Sequence, residues 1–109
     1  MPSKRVLILD DDQAPGLKDW FKRFQHGYDY EVVTAATASE TMSALTAGRP
    51  DLVIVEPEAA SFDCLDIVSK LRRHDERIPI IAASKGHNRA VAEATFRLGL
   101  FAYIPNKIQ

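Results

Sequence analysis

The fold of this chain is decided near its start, in the segment Val6-Leu-Ile-Leu-Asp-Asp-Asp12, where four apolar residues are followed by three aspartates. A strand that is apolar at every position is buried on both faces, as in a parallel sheet covered by helices. Four more short runs recur along the chain, the first of them mixed in character as an edge strand would be. These runs are Glu31–Ala35, Leu52–Val55, Ile78–Ala83 and Leu100–Ile104.

The segments between these runs carry either an apolar stripe at helical spacing or residues that favour a helix boundary. They are marked by Leu17, Phe21 and Phe24; by Ser39 as a cap and Gly48 as an end; by Leu65, Val68 and Leu71; and by Arg89–Leu98 with Gly99 behind it. Strands that alternate with helices in this way predict an α/β domain with a doubly wound, five-stranded parallel sheet.

Length and composition limit the classes of protein to consider. The 109 residues fit one domain, residues 1–109, and the net charge of -1 argues against nucleic acid or an anionic membrane as partner. Cys64 is the single cysteine, so the chain forms no internal disulfide and a reducing compartment suits it. The apolar run at Val6–Leu9 is too short for a signal peptide or a membrane span. We therefore expect a cytoplasmic protein.

Binding sites in such sheets form at the carboxyl ends of the strands. Polar side chains follow four of the predicted strands, and in chain order they are acidic, acidic, hydroxyl-bearing and basic. They are Asp10, Asp11 and Asp12; Glu56; Ser84; and Pro105 to Lys107. Three aspartates directly after a buried strand repel one another, which favours a pocket over an idle surface.

The order of these residues resembles the receiver domains of two-component response regulators, over essentially the whole chain. Four segments carry the resemblance: Val6–Asp12, Arg49–Glu56, Ile78–Ser84 and Gly99–Ile104. It implies a flavodoxin-like fold with strand order 2-1-3-4-5 and a part in phosphorelay signalling. In that family an acidic pair binds Mg²⁺ beside an aspartate that accepts a phosphoryl group, and a hydroxyl and a lysine contact the phosphoryl oxygens.

The resemblance assigns Asp10 and Asp11 to the acidic pair, with Asp12 as the usual third acid. It assigns Ser84 to the hydroxyl position and Tyr103 to the aromatic switch. An acyl phosphate needs these parts: a carboxylate nucleophile, a hard cation with oxygen ligands, and donors for the developing charge.

Two positions depart from the family pattern. Glu56 stands where the phosphorylated aspartate belongs, and Asn106 stands where the lysine belongs, with Lys107 one place late. Because adjacent side chains of a strand point to opposite faces, Lys107 misses the pocket if Asn106 enters it. A bulge forced by Pro105 would shift the register by one residue and restore the lysine. Cys64 also replaces a usual glycine, so the departures concentrate around the chemistry.

The sequence therefore predicts a non-enzymatic pseudo-receiver, a regulatory protein–protein interaction domain that works without phosphorylation. The resemblance implies a partner face around Ser84, the fourth helix and the fifth strand. Glu56 is either a mimic of the phosphorylated state or a plain strand-end acid. No cofactor is required, and Mg²⁺ binds at most weakly, through Asp11 and Glu56. Two alternatives stay open: a working phospho-acceptor that uses Asp11 or Glu56, and a structural oligomerisation module.

The family has a fifth helix after the fifth strand, but only five residues, from Pro105 to Gln109, remain here. That length is too short for a helix. We expect the fifth helix to be missing or truncated. A strip of the sheet would then lack cover, so we also expect the chain to be part of a longer protein, followed by further sequence, or to self-associate.

Overall fold

The computed structural model describes residues 4–10, 21, 30–59, 61–84, 93, 94, 97, 99 and 102–105. Within these residues the chain alternates between strands and helices. In chain order the elements are β1 (Lys4–Leu9), β2 (Tyr30–Ala35), α1 (Ala38–Ala47), β3 (Leu52–Val55), α2 (Cys64–His74), β4 (Ile80–Ser84) and β5 (Ala102–Pro105).

The five strands form one sheet in the order β2-β1-β3-β4-β5, with every neighbouring pair parallel. The predicted parallel α/β architecture is confirmed, and the strand order is the one that the resemblance implies. Phe21 of the first predicted helix and residues 93, 94 and 97 of the fourth have helical backbone. The position of a fifth helix lies outside the described residues.

The core forms two layers, one on each face of the sheet, because successive strand side chains point to opposite faces. Leu7, Leu9, Val53 and Val55 pack on one face with α1 and α2. The residues between them, among them Val6, Ile8 and Ile54, pack on the other face with Phe21. Burial on both faces explains why the central strands are apolar at every position.

Helix α1 begins at a cap two residues earlier than predicted. The N-cap is Thr37, whose Oγ1 accepts a hydrogen bond from the Glu40 amide at 3.1 Å. Glu40 Oε1 in turn accepts from the Ala36 amide at 2.8 Å, so the two side chains cap the helix reciprocally. The assignment of Ser39 as the cap was therefore wrong, although the helix does end at Gly48, whose amide donates to Ala44 O.

Helix α2 buries a stripe that differs by one residue from the predicted one. Its buried residues are Cys64, Ile67, Val68 and Leu71, spaced i, i+3, i+4, i+7. Val68 and Leu71 were predicted correctly, but Leu65 is only half-buried and does not belong to the stripe. The Asp63 side chain sets the start of the helix, since its Oδ1 accepts from the Asp66 amide at 3.1 Å.

The amino end of the sheet carries a layer of ion pairs. Arg5 Nη1 lies 3.0 Å from Glu31 Oε1, and the Arg5 amide donates to Asp51 Oδ2 at 2.8 Å. Arg49 Nε lies 2.7 Å from Asp75 Oδ2. Each of these carboxylates therefore faces an N–H donor, and the contacts link β1, β2 and the loops that precede β3 and β4.

Arg72 ties together three segments at the same end. Its guanidinium donates to Ile78 O at 2.5 Å, to Glu76 O at 3.3 Å and to Gly99 O at 2.6 Å. Gly99 has φ +91°, and a Cβ there would lie 3.1 Å from Arg72 Nε. Glycine is therefore favoured at this position both by its backbone conformation and by its neighbour.

Candidate functional site

The carboxyl ends of β1 and β3 lie side by side and bring Asp10 and Glu56 next to each other. Leu9 and Val55, the last residues of the two strands, are register partners. The Glu56 amide donates to Leu9 O at 2.9 Å, and the Asp10 amide donates to Ala35 O at 3.0 Å. The main chain thus fixes both residues at the end of the sheet where ligands bind in this class of fold.

Both carboxylates are buried. The exposed fraction is 7% for Asp10 and 2% for Glu56, and the oxygens Asp10 Oδ1 and Glu56 Oε2 are sealed from solvent. Among the described residues the only other buried polar residue is Thr41, whose hydroxyl is satisfied by Thr37 O at 2.8 Å. Thr41 serves its helix, whereas two neighbouring buried acids are costly for folding and mark a functional site.

The loop behind Glu56 leads directly into α2. The Ala59 amide donates to Glu56 O at 3.3 Å, which closes a turn.

Burial, followed by the charges of Asp63 and Glu58, raises the pKa of the Cys64 thiol to about 12. The thiol is therefore protonated at neutral pH and lacks the thiolate form that a nucleophile needs.

Strands β4 and β5 continue the same end of the sheet. Ser84 is the last residue of β4 and pairs with Pro105, the last residue of β5, while Tyr103 pairs with Ala82. The four register pairs of these strands are consecutive, so the strands contain no bulge up to Pro105. The residues that would decide whether a lysine reaches the pocket, Asn106 and Lys107, lie outside the described residues.

The backbone therefore places three of the predicted positions at the ends of adjacent strands: Asp10, Glu56 and Ser84. Asp11 and Asp12 lie outside the described residues, so the predicted metal pair of Asp11 and Glu56 stays a prediction. Within the described part of the chain no group of three or more metal-ligating side chains occurs. The donors that are described, two carboxylates, are nevertheless of the oxygen type that Mg²⁺ takes, and it often uses only one or two.

Sequence comparison identifies relatives among signalling proteins. The profile of the response regulator receiver domain family matches residues 6–109. The chain is 29% identical over 85 residues to the transcriptional regulatory protein PrrA of Mycobacterium tuberculosis, covering 75% of this chain and 34% of PrrA. It is 25% identical over 101 residues to the response regulator MprA of Mycolicibacterium vanbaalenii, covering 93% of this chain and 43% of MprA. The chain thus spans less than half the length of these relatives.

Solved structures share the fold. The phosphorylated cyanobacterial phytochrome response regulator RcpA superposes with a TM-score of 0.84 at 20% identity, covering 99% of this chain and 84% of RcpA. The Mn²⁺-bound form of the response regulator Rcp1 superposes with a TM-score of 0.81 at 17% identity, covering 97% of this chain and 83% of Rcp1.

Across the described residues, no helix is long and apolar enough to cross a membrane.

Proposed function

The chain belongs to the response regulator receiver domain family of two-component signalling modules, and we propose that it acts there as a pseudo-receiver. In this role it is a regulatory protein–protein interaction domain whose output does not depend on phosphorylation. It is not an enzyme and requires no cofactor. The proposal places it in the cytoplasm, with a protein as its partner rather than nucleic acid or a membrane.

The observation that carries the proposal is a buried glutamate at the end of β3. Glu56 occupies the position of the family's phosphorylated aspartate, is 2% exposed and lies beside Asp10. Its extra methylene displaces the carboxylate by about one carbon–carbon bond, ~1.5 Å. A misplacement of about 1 Å can already lower a reaction rate 10²-fold, because the reacting atoms must meet at a defined distance and angle.

The second support is the residue that follows β5. In the sequence, Asn106 stands in place of the family's lysine, so this proposal has an amide replace the charged donor that contacts the phosphoryl oxygens. Removing one such donor costs about 2.7–4 kcal/mol of transition-state stabilisation. The missing charge and the longer acid act in the same direction, against phosphoryl transfer.

In this proposal Glu56 mimics the phosphorylated state. Its carboxylate extends toward the place of a phosphoryl group, with one negative charge where a phosphate has about -1.5 to -2. Ser84 and Tyr103 act as the switch residues, and the partner binds the face formed by the fourth predicted helix and β5. Residues 1–109 form the receiver-like domain of a longer protein, or the domain associates with a second copy through that end of the sheet.

We expect Mg²⁺ to bind weakly at most, through Asp11 and Glu56. The bound ion would supply positive charge beside the neighbouring carboxylates of Asp10 and Glu56. Calorimetric titration with MgCl₂ measures this directly. Tight binding that Asp11→Asn abolishes would contradict the proposal and favour an active receiver.

The rival function is a working phospho-acceptor that uses Asp11 or Glu56. It is favoured by the retained carboxylates at the ends of β1 and β3. Intact-mass measurement after treatment with acetyl phosphate and Mg²⁺ separates the two functions, with a phosphorylatable receiver of the family treated in parallel. We expect an adduct on that receiver and none on this chain. A stoichiometric adduct on Glu56 or Asp11 would refute the pseudo-receiver.

The other rival is a purely structural oligomerisation module. It makes the pocket irrelevant to binding, whereas a pseudo-receiver couples the pocket to its partner face. Sedimentation over a concentration series, with Glu56→Gln beside the unchanged chain, distinguishes them. Self-association that is equally strong in both proteins would favour the structural module.

A further inference from the structure

A groove of about 520 Å³ runs between α1 and α2. It is lined by Ala38, Ser39 and Met42 of α1 and by Lys70, Arg73 and His74 of α2. Neither Asp10 nor Glu56 lines this groove.

The charge of the groove is opposite to that of the chain. Of the described residues that line it, Lys70 and Arg73 are cationic, His74 is a third base and none is acidic, although the whole chain carries a net charge of -1 with histidine counted as neutral. Lys70 contacts Asp66 at 3.0 Å in an exposed pair, which has little strength in water. Arg73 is exposed and forms no ion pair with any residue that the structure describes.

Basic residues in the last turn of a helix also complement its dipole, and Arg72 illustrates that ordinary role through its bonds to nearby carbonyls. Complementing the helix dipole explains the basic residues but not the exposure of Met42 beside them. Met42 is 37% exposed and is the one large hydrophobic side chain at the surface of the described residues. Methionine is flexible and polarisable, so it suits a surface that accommodates a partner's apolar side chain.

We propose that this groove binds an acidic segment of a partner protein, with an apolar side chain seated on Met42 and carboxylates beside Arg73 and His74. Charge complementarity favours an acidic segment as the ligand. The exposed methionine favours a peptide over a nucleic acid strand, because phosphates gain nothing from an apolar contact.

The chain offers a built-in reporter for the test. Met42 lines the groove, so methyl-labelled methionine places a signal there, which its loss in Met42→Leu assigns. The probe is a synthetic peptide with one leucine between pairs of glutamates, and its control replaces the glutamates with glutamines. We expect the Met42 methyl signal to move saturably with the glutamate peptide, and the glutamine peptide to bind at least about ten-fold more weakly.

A matched pair of variants locates the charge. Arg73→Glu should weaken binding of the glutamate peptide about ten-fold, because it replaces attraction by repulsion. Arg77→Glu makes the same change of net charge at an exposed residue outside the groove and should change affinity less than about two-fold. Equal losses in both variants, equal binding of both peptides, or a Met42 shift only with a single-stranded oligonucleotide would overturn the proposal.

Discussion

The two ends of the sheet differ in how their charged side chains are arranged. At the amino end, Arg5 and Arg49 face carboxylates at 3.0 Å and 2.7 Å, and most of these side chains reach solvent. At the carboxyl end, two acids, Asp10 and Glu56, are buried next to each other on neighbouring strands. The same fold therefore contains one end where opposite charges meet near water and one end where two acids are buried together.

The difference separates residues that stabilise the domain from residues kept for function. Pairs of opposite charge near water and arginine bonds to carbonyls add modest stability and need no further explanation. Acids buried side by side add little to stability and are costly unless they are paired or hydrogen-bonded, so such a pair is a candidate for function. Changes at the carboxyl end should alter chemistry, and changes at the amino end should alter stability.

The largest expected effect concerns the carboxyl end. Glu56→Asp alone should phosphorylate 10²–10³-fold more slowly than Glu56→Asp combined with Asn106→Lys, because one charge-stabilising donor is worth about 2.7–4 kcal/mol of barrier. The rate of adduct formation with acetyl phosphate, followed by intact mass, measures the difference. Equal rates would mean that Lys107 already reaches the pocket.

At the amino end the largest effect should come from Arg72→Ala. The change removes hydrogen bonds to three carbonyls, those of Glu76, Ile78 and Gly99, and should lower the free energy of unfolding by about 2–3 kcal/mol. Urea unfolding followed by circular dichroism measures it. Arg73→Ala, on the exposed neighbour, is the control and should stay within about 0.5 kcal/mol. Similar losses in both variants would show that the carbonyl bonds contribute little.

Gly99→Ala should cost less, about 1–2 kcal/mol, because an alanine at φ +91° is strained. Part of this cost should come from the 3.1 Å approach to Arg72 Nε. In the Arg72→Ala background the same substitution should therefore cost less than in the unchanged chain, which a double-mutant cycle resolves. Strictly additive losses would mean that backbone strain alone sets the cost.

The smallest effect is a pH dependence. The Arg77 amide, followed by the Arg49 side chain, holds the pKa of Asp75 below its usual value. A carboxyl whose pKa is depressed in the folded state stabilises that state above its ordinary pKa, and the contribution is lost as the pH falls through the folded pKa. Carbon-13 NMR titration should show Asp75 still depressed in Arg49→Ala, since the amide bond remains. A return to the ordinary value would make the arginine the dominant cause.

Sequence patterns located the strands well because burial on both faces demands apolar residues at every position. They missed the ends of elements, where other forces act. Lys4 and Arg5 extend β1 toward water and carry no apolar signal. Pro79 has no amide to donate, so β4 begins at Ile80 rather than at Ile78. The cap of α1 was missed although Thr37-Ala-Ser-Glu40 has the spacing of a capping box.

The candidate site was accessible to sequence analysis in part. Asp10 and Glu56 were found because each acid directly follows a buried strand. The role of Arg72 was not visible, since its acceptors are main-chain carbonyls, one of them 27 residues away. The exposure of Met42 was not predictable either, because a methionine on a helix is expected in the core until the position of the neighbouring helix is known.

The position of β1 between β2 and β3 has a consequence for folding. β1 pairs with β2 and β3, and its Arg5 meets partners 26 and 46 residues further along the chain. During synthesis the first strand therefore remains without either neighbour until most of the first half has been made. Topologies built from such distant pairs fold slowly compared with helical bundles, because a large loop must close before each pair forms.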